Sequence, residues 1–156
     1  MTAKQQPTLI GYCRGITRLE LVIMVVILSV LGLVVAEQLS RRLNQARQEQ
    51  MSSDMERIAA ALHQYKLDNK RYPTTDQGLA ALLSAPEIWP LAKYWHGPYL
   101  TRDSLLQDPW GRFYQYQSEF APPSFVLRSL GADGKEGGEG AATDTLLRYQ
   151  SADGQR

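Results

Sequence analysis

The chain has 156 residues, with 17 Lys and Arg against 16 Asp and Glu, for a formal charge of +1. So even a balance gives no electrostatic push toward nucleic acid or an acidic membrane surface. A single cysteine, Cys13, excludes an internal disulfide framework.

The first element in chain order is an apolar run, Leu21 to Ala36, with a carboxylate, Glu20, at its mouth. An acid near a bilayer core costs about 2.5 to 3.5 kcal/mol on insertion scales, so Glu20 calls for a functional partner. The run alone is short for a membrane span, and counting from Ile16 brings it to adequate length. Three readings fit: a single-pass anchor, a secretory signal, or a membrane helix whose leader is removed ahead of the apolar run. Lys4 and Arg14 would serve a signal as its basic region, and Val34-Val35-Ala36 as its cleavage site. Glu20 argues against it, because a signal core has no use for an acid at its entrance.

Gly15-Ile16-Thr17-Arg18-Leu19-Glu20 ahead of an apolar helix resembles the processing site of type IV pilins and pseudopilins. The resemblance implies cleavage between Gly15 and Ile16 by a prepilin peptidase, N-methylation of Ile16, and Glu20 as the fifth mature residue. The mature amine of Ile16 would then neutralise Glu20 of a neighbouring subunit inside an apolar filament core. An ion pair formed only on assembly specifies register and partner. Arg18 stands where that family usually has an apolar residue, and Ile16 replaces its usual Phe or Met. Val35-Ala36-Glu37 falls where the family often has proline, which leaves Gly32 as the source of flexibility. Cys13 would leave with the leader.

Gln38 to Asn69 contains neither Pro nor Gly and is rich in helix formers, so the helix is expected to continue unbroken. Leu43, Ala46, Met51, Met55, Ile58, Leu62 and Tyr65 mark an apolar stripe, with Arg47, Asp54 and Gln64 elsewhere. From Thr17 to Asn69 this gives a helix of about 80 Å. Its first half would lie in membrane or filament core, and its second half would back a globular head.

Tyr72-Pro73 ends that helix, because the residue before proline is driven out of the helical region. Thr74-Thr75-Asp76-Gln77 reads as a capping box for a short helix, Thr75 to Leu83. Pro86 and Pro90 bound a loop, and Trp89, Tyr94, Trp95 and Tyr99 are assigned to core and loop packing. Asp108-Pro109-Trp110-Gly111 fits a type I turn. Strands are expected at Phe113 to Tyr116 and Phe125 to Leu130, and the tail after Leu147 reads as disordered.

Lys66 to Leu79, Gln107-Asp108-Pro109-Trp110-Gly111 and Ser129-Leu130-Gly131-Ala132-Asp133-Gly134 resemble the major pseudopilin of type II secretion systems, the core protein G family. The resemblance implies an α+β, type IV pilin-like fold, a long N-terminal helix packed on a small antiparallel sheet. The organisation would be a leader (1–15), a transmembrane or filament-core helix (16–36), the soluble half of that helix (37–69), a head (70–147) and a flexible tail (148–156). It further implies a structural subunit of a periplasmic pseudopilus that helps export folded proteins across the outer membrane. The subunit would span the bacterial inner membrane once, with its head in the periplasm. Implied partners are further copies of the chain, minor pseudopilins, a prepilin peptidase, an inner-membrane assembly platform with its ATPase, and a secretin, with no nucleic acid.

Leu130 to Asp144 carries Asp133, Glu136, Glu139 and Asp144 among five glycines. Calcium takes six to eight oxygens, and glycine turns let backbone carbonyls join carboxylates, although the spacing is not that of an EF-hand. The resemblance implies calcium here, with Asp133, Asp144 and the Leu130 carbonyl as ligands. Thr143 stands where the family has a second aspartate, the loop is longer, and Glu136 or Glu139 are the residues that would compensate.

Two other classes stay in view. A membrane-anchored periplasmic enzyme lacks a motif: His63 and His96 have no metal-ligand spacing, and no nucleophile elbow or phosphate loop appears. A type IV pilin or DNA-uptake pseudopilin would share the anchor and need a basic stripe with exposed aromatics. Arg41, Arg42 and Arg47 cluster beyond the apolar run, where they more simply meet lipid headgroups or neighbouring subunits.

Overall fold

A computed structural model of the chain describes residues 17–150. The expected leader, the Gly15–Ile16 cleavage bond and residues 151–156 lie outside them. The chain divides into two compact units, one up to Arg41 and one from Arg42 onward. A single helix, α1 (Arg18–Asn69), contributes to both and runs through Gly32 without a break. The expected boundary after residue 36, between the membrane and soluble halves of one helix, falls within α1.

In the first unit every described side chain is exposed, including Leu21, Ile23, Val26, Leu28 and Leu33. Thr17 starts α1: its Oγ1 accepts the Glu20 N–H at 3.3 Å, and its carbonyl accepts the Leu21 N–H at 3.1 Å. Thr17 thus caps the helix through its side chain, and Glu20 adds negative charge where the helix dipole favours it. Among the described residues, α1 is the one helix long and apolar enough to cross a membrane.

In the second unit the apolar stripe of α1 becomes core. Met51, Met55, Ile58, Leu62 and Tyr65 are almost fully buried, and burial of each such side chain contributes about 1.5 to 3 kcal/mol. The stripe starts later than its spacing implied, since Leu43 and Ala46 are exposed. Asp54, expected on a polar face, is buried, with Arg57 at 3.7 Å.

A three-stranded antiparallel sheet covers this face in the order β1 (Gln115–Glu119), β2 (Ser124–Ser129), β3 (Thr145–Gln150). Alternation along β2 turns Phe125, Leu127 and Ser129 inward and leaves Ser124, Val126 and Arg128 less covered. Opposite β2, Tyr116 pairs with Leu127, and Tyr149 with Phe125. Stacking of Phe125 on Tyr149, with ring centroids 5.7 Å apart, and the edge of His63 at 4.3 Å from Tyr149 join sheet to helix. β3 corrects the expected flexible tail: Arg148, Tyr149 and Gln150 are paired with Val126, Phe125 and Ser124.

Three other expectations change in detail. The Thr74–Gln77 box does form, each backbone N–H bonded to the other's side chain at 3.1 and 3.2 Å. It closes a turn rather than an α-helix, and only Leu79–Leu82 follows as 3₁₀-helix. The first strand starts at Gln115 rather than Phe113, which is exposed and holds a single bridge to Gln107. Trp89 and Tyr94 are exposed and not core, whereas Trp95 and Tyr99 pack against it.

Candidate functional site

Two regions are the candidates for function: the exposed apolar part of α1, described above, and the loop between β2 and β3. That loop is built outward from Asp108. As expected, Asp108-Pro109-Trp110-Gly111 closes a turn, with the Gly111 N–H bonded to the Asp108 carbonyl at 2.8 Å. The Asp108 carboxylate is buried and does more than turn the chain. Its Oδ1 accepts the N–H groups of Trp110 and Arg112 at 3.0 and 2.9 Å. Its Oδ2 accepts the Ser129 hydroxyl at 2.9 Å, and Ser129 Oγ in turn receives the Gly131 N–H at 3.3 Å. One carboxylate therefore links the turn to the start of the loop.

Further along, the Ala132 N–H bonds the Ala141 carbonyl at 2.8 Å, and Gln48 of α1 donates to the Gly140 carbonyl at 3.1 Å. Gly131 has φ +64°, and a Cβ there would lie 2.8 Å from the carbonyls of Ala142 and Thr143. Only glycine allows the two limbs to approach so closely.

The acidic residues are less convergent than expected. Asp133 is exposed, its Oδ1 accepting the Lys135 N–H at 3.1 Å. Glu139 is exposed, and the structure records no hydrogen bond to its carboxylate. Glu136 and Asp144 do come together, drawn by Arg128 on the outer side of β2. Its guanidinium donates to Glu136 Oε1 at 2.9 Å and to Asp144 Oδ2 at 2.6 Å. The Gly137 N–H also reaches Asp144 Oδ2, at 3.1 Å. Arg128 first, then this N–H, holds the Asp144 carboxyl below the usual carboxylate range. Among the described residues no three His, Cys, Asp or Glu side chains gather as a metal cluster.

One observation nonetheless suits a cation. Asp144 Oδ1 is buried without a hydrogen-bond donor, and a buried acceptor left bare is costly. A bare carboxylate oxygen is the kind of donor that a hard divalent ion takes.

Sequence reasoning missed Arg128 and the reach of Asp108. Arg128 was signalled as the one charged residue of β2, just ahead of an acidic glycine loop. His96 lies exposed near Asp68, at 3.8 Å, consistent with a surface histidine. Arg41 is paired with Glu37 at 2.7 Å, both exposed.

The family profile described as type II secretion system, protein G, matches residues 38–147. The type II secretion system core protein G of Pseudomonas aeruginosa is 46% identical over 125 residues, covering 80% of this chain and 87% of that protein. The core protein G of Vibrio cholerae is 43% identical over 130 residues, covering 83% and 88% respectively. Among solved structures, the major pseudopilin from the type 2 secretion system of enterohaemorrhagic Escherichia coli aligns with a TM-score of 0.56 at 35% identity. That alignment covers 67% of this chain and 89% of the other.

Proposed function

The chain belongs to the type II secretion system protein G family, and from that premise we propose how its parts serve assembly. It is a structural pseudopilin, a subunit of the pseudopilus of a type II secretion system. Our reading is that it does no chemistry itself and polymerises to help export folded proteins across the outer membrane. Its apolar helix would store it in the inner membrane, head in the periplasm, until the assembly platform and its ATPase add it to the filament. Minor pseudopilins and the secretin would be its other partners.

The observation that carries this reading is the contrast within α1: wholly exposed through the first unit, where Leu21 to Ala36 is apolar but for Ser29 and Gly32, and one-sided and buried in the second. An uncovered apolar helix of that length needs lipid or other copies of itself. Glu20 is the charged group at its start. After cleavage between Gly15 and Ile16, the methylated amine of Ile16 would meet Glu20 of a neighbouring subunit.

Glu20→Leu tests this in a secreting strain that lacks its own copy of the gene. The variant should accumulate in the membrane with the same head melting temperature and fail to form filaments or restore secretion. Normal filaments and secretion with Glu20→Leu would remove the pairing from the mechanism. Because Glu20 also sits in the first turn, helix content of the purified chain is the control for a loss of capping.

We also propose that the β2–β3 loop binds calcium, through Asp133, Asp144 and the Leu130 carbonyl, with Glu136 or Glu139 assisting. The bare Asp144 Oδ1 supports this. Bound calcium would supply a charge that ties the returning limb to the end of β2 and stabilise the head by mass action, at an affinity of about 0.1 to 1 mM. Asp133→Ala should then lower the melting temperature in calcium and leave it unchanged in chelator. Equal losses in both conditions would show that Asp133 serves the turn alone.

A further inference from the structure

Arg128 sits where a loop-closing cation would act. It lies on the middle strand of the sheet, opposite Gln115 of β1 and Leu146 of β3. From there it reaches the loop's outgoing limb at Glu136 and its returning limb at Asp144, at 2.9 and 2.6 Å. The two carboxylates are eight residues apart in sequence, and a single forked guanidinium spans them. That geometry needs arginine, because its planar donors can serve two acceptors at once while an ammonium is a point charge. The Gly137 N–H completes the clasp on Asp144 Oδ2.

We infer that Arg128 is the resident cation of the β2–β3 loop, closing it in the absence of calcium and opposing a divalent ion at Asp144. The second half rests on the calcium reading above. A guanidinium bonded to Asp144 Oδ2 and a calcium ion on Asp144 Oδ1 are like charges sharing one carboxylate, so each weakens the other. Calcium would therefore act on a loop that Arg128 already clasps.

Cleavage after Lys135 reports the loop directly, since that residue is exposed between Asp133 and Glu136. The full chain in detergent micelles is digested with a lysine-specific protease, in chelator and across a calcium titration, as wild type, Arg128→Met and Arg128→Lys. In chelator, Arg128→Met should be cut about fivefold faster than wild type, the scale of a favourable ion pair, with Arg128→Lys between them. Calcium should slow the Arg128→Met cut with a midpoint about fivefold lower than in wild type, because the opposing charge is gone. Equal rates in chelator would overturn Arg128 as the closing cation. An unchanged or higher calcium midpoint would overturn its opposition to calcium.

If calcium alters neither chain while Arg128→Met is cut faster, the calcium reading fails and Arg128 stands as the loop's cation by itself. Should Arg128→Met not fold, judged by near-ultraviolet circular dichroism, the exposed Glu136→Gln replaces it. That variant should be cut about twofold faster in chelator, and an unchanged rate would overturn the inference.

Discussion

His63 is the residue at which the head should sense acidity. Its Nδ1 shares a hydrogen bond of 3.0 Å with the Tyr72 hydroxyl, and its ring packs edge-on to Phe125 and Tyr149. Burial, and then the neighbouring charge of Lys66, hold its imidazole below the ordinary value. The unfolded chain therefore takes up a proton at higher pH than the folded one. Stability from neutral His63 is present above the unfolded value, about 6.5, and is lost as pH falls from there through the folded value. The melting temperature of the full chain in detergent should decline between pH 7 and pH 5, and His63→Gln should flatten that decline. An identical pH profile in both chains would show that the ring's protonation does not matter to the fold. Residues such as this were only half legible in sequence. His63 was placed on the helix, but its aromatic partners arrive from just beyond the end of α1, from β2 and from β3. Asp108 was readable as the first residue of a turn, whereas its bond to Ser129 depends on a strand more than twenty residues away.

At the scale of elements, local signals fixed what local chemistry decides. The apolar stripe located the buried part of α1 from Met51 to Tyr65, and the Thr74–Gln77 box and the Asp108 turn formed as their residues dictate. β3 was missed because Arg148-Tyr149-Gln150 looks polar on its own. Its stability comes from the ladder to β2 and from Tyr149 stacked on Phe125, neither of which is visible in a window of sequence. The chain truncated after Leu147 should thus lose about 2 to 4 kcal/mol of head stability relative to one truncated after Gln150, through lost aromatic and cross-strand pairs. Matching denaturation midpoints for the two truncations would show that β3 contributes nothing beyond Leu147. Asp54 and Leu43 make the same point in reverse. Helical spacing put Leu43 in the stripe and Asp54 outside it, and the extent of the head decides otherwise.

For the whole molecule, the family was written in segments whose residues do specific physical jobs, and the comparisons bear that reading out over residues 38–147. The acidic loop was legible as a place and not as an arrangement. Its carboxylates are spread along the chain, and which of them converge is set by Arg128 on β2, which no spacing rule singles out. The molecule that results pairs a folded head with a helix whose first unit is uncovered, and in the proposed mechanism assembly is the act that covers it. On the proposed pairing, Glu20 would give that act its register only if the chain begins at Ile16, so the assembly mechanism depends on where the mature chain starts. The measurement to make is the intact mass of the chain extracted from membranes of cells with an active prepilin peptidase and working secretion. The account requires a mass that begins at Ile16 and carries one methyl group. A chain that supports secretion with residues 1–15 still attached, or one that begins beyond Glu20, would contradict it.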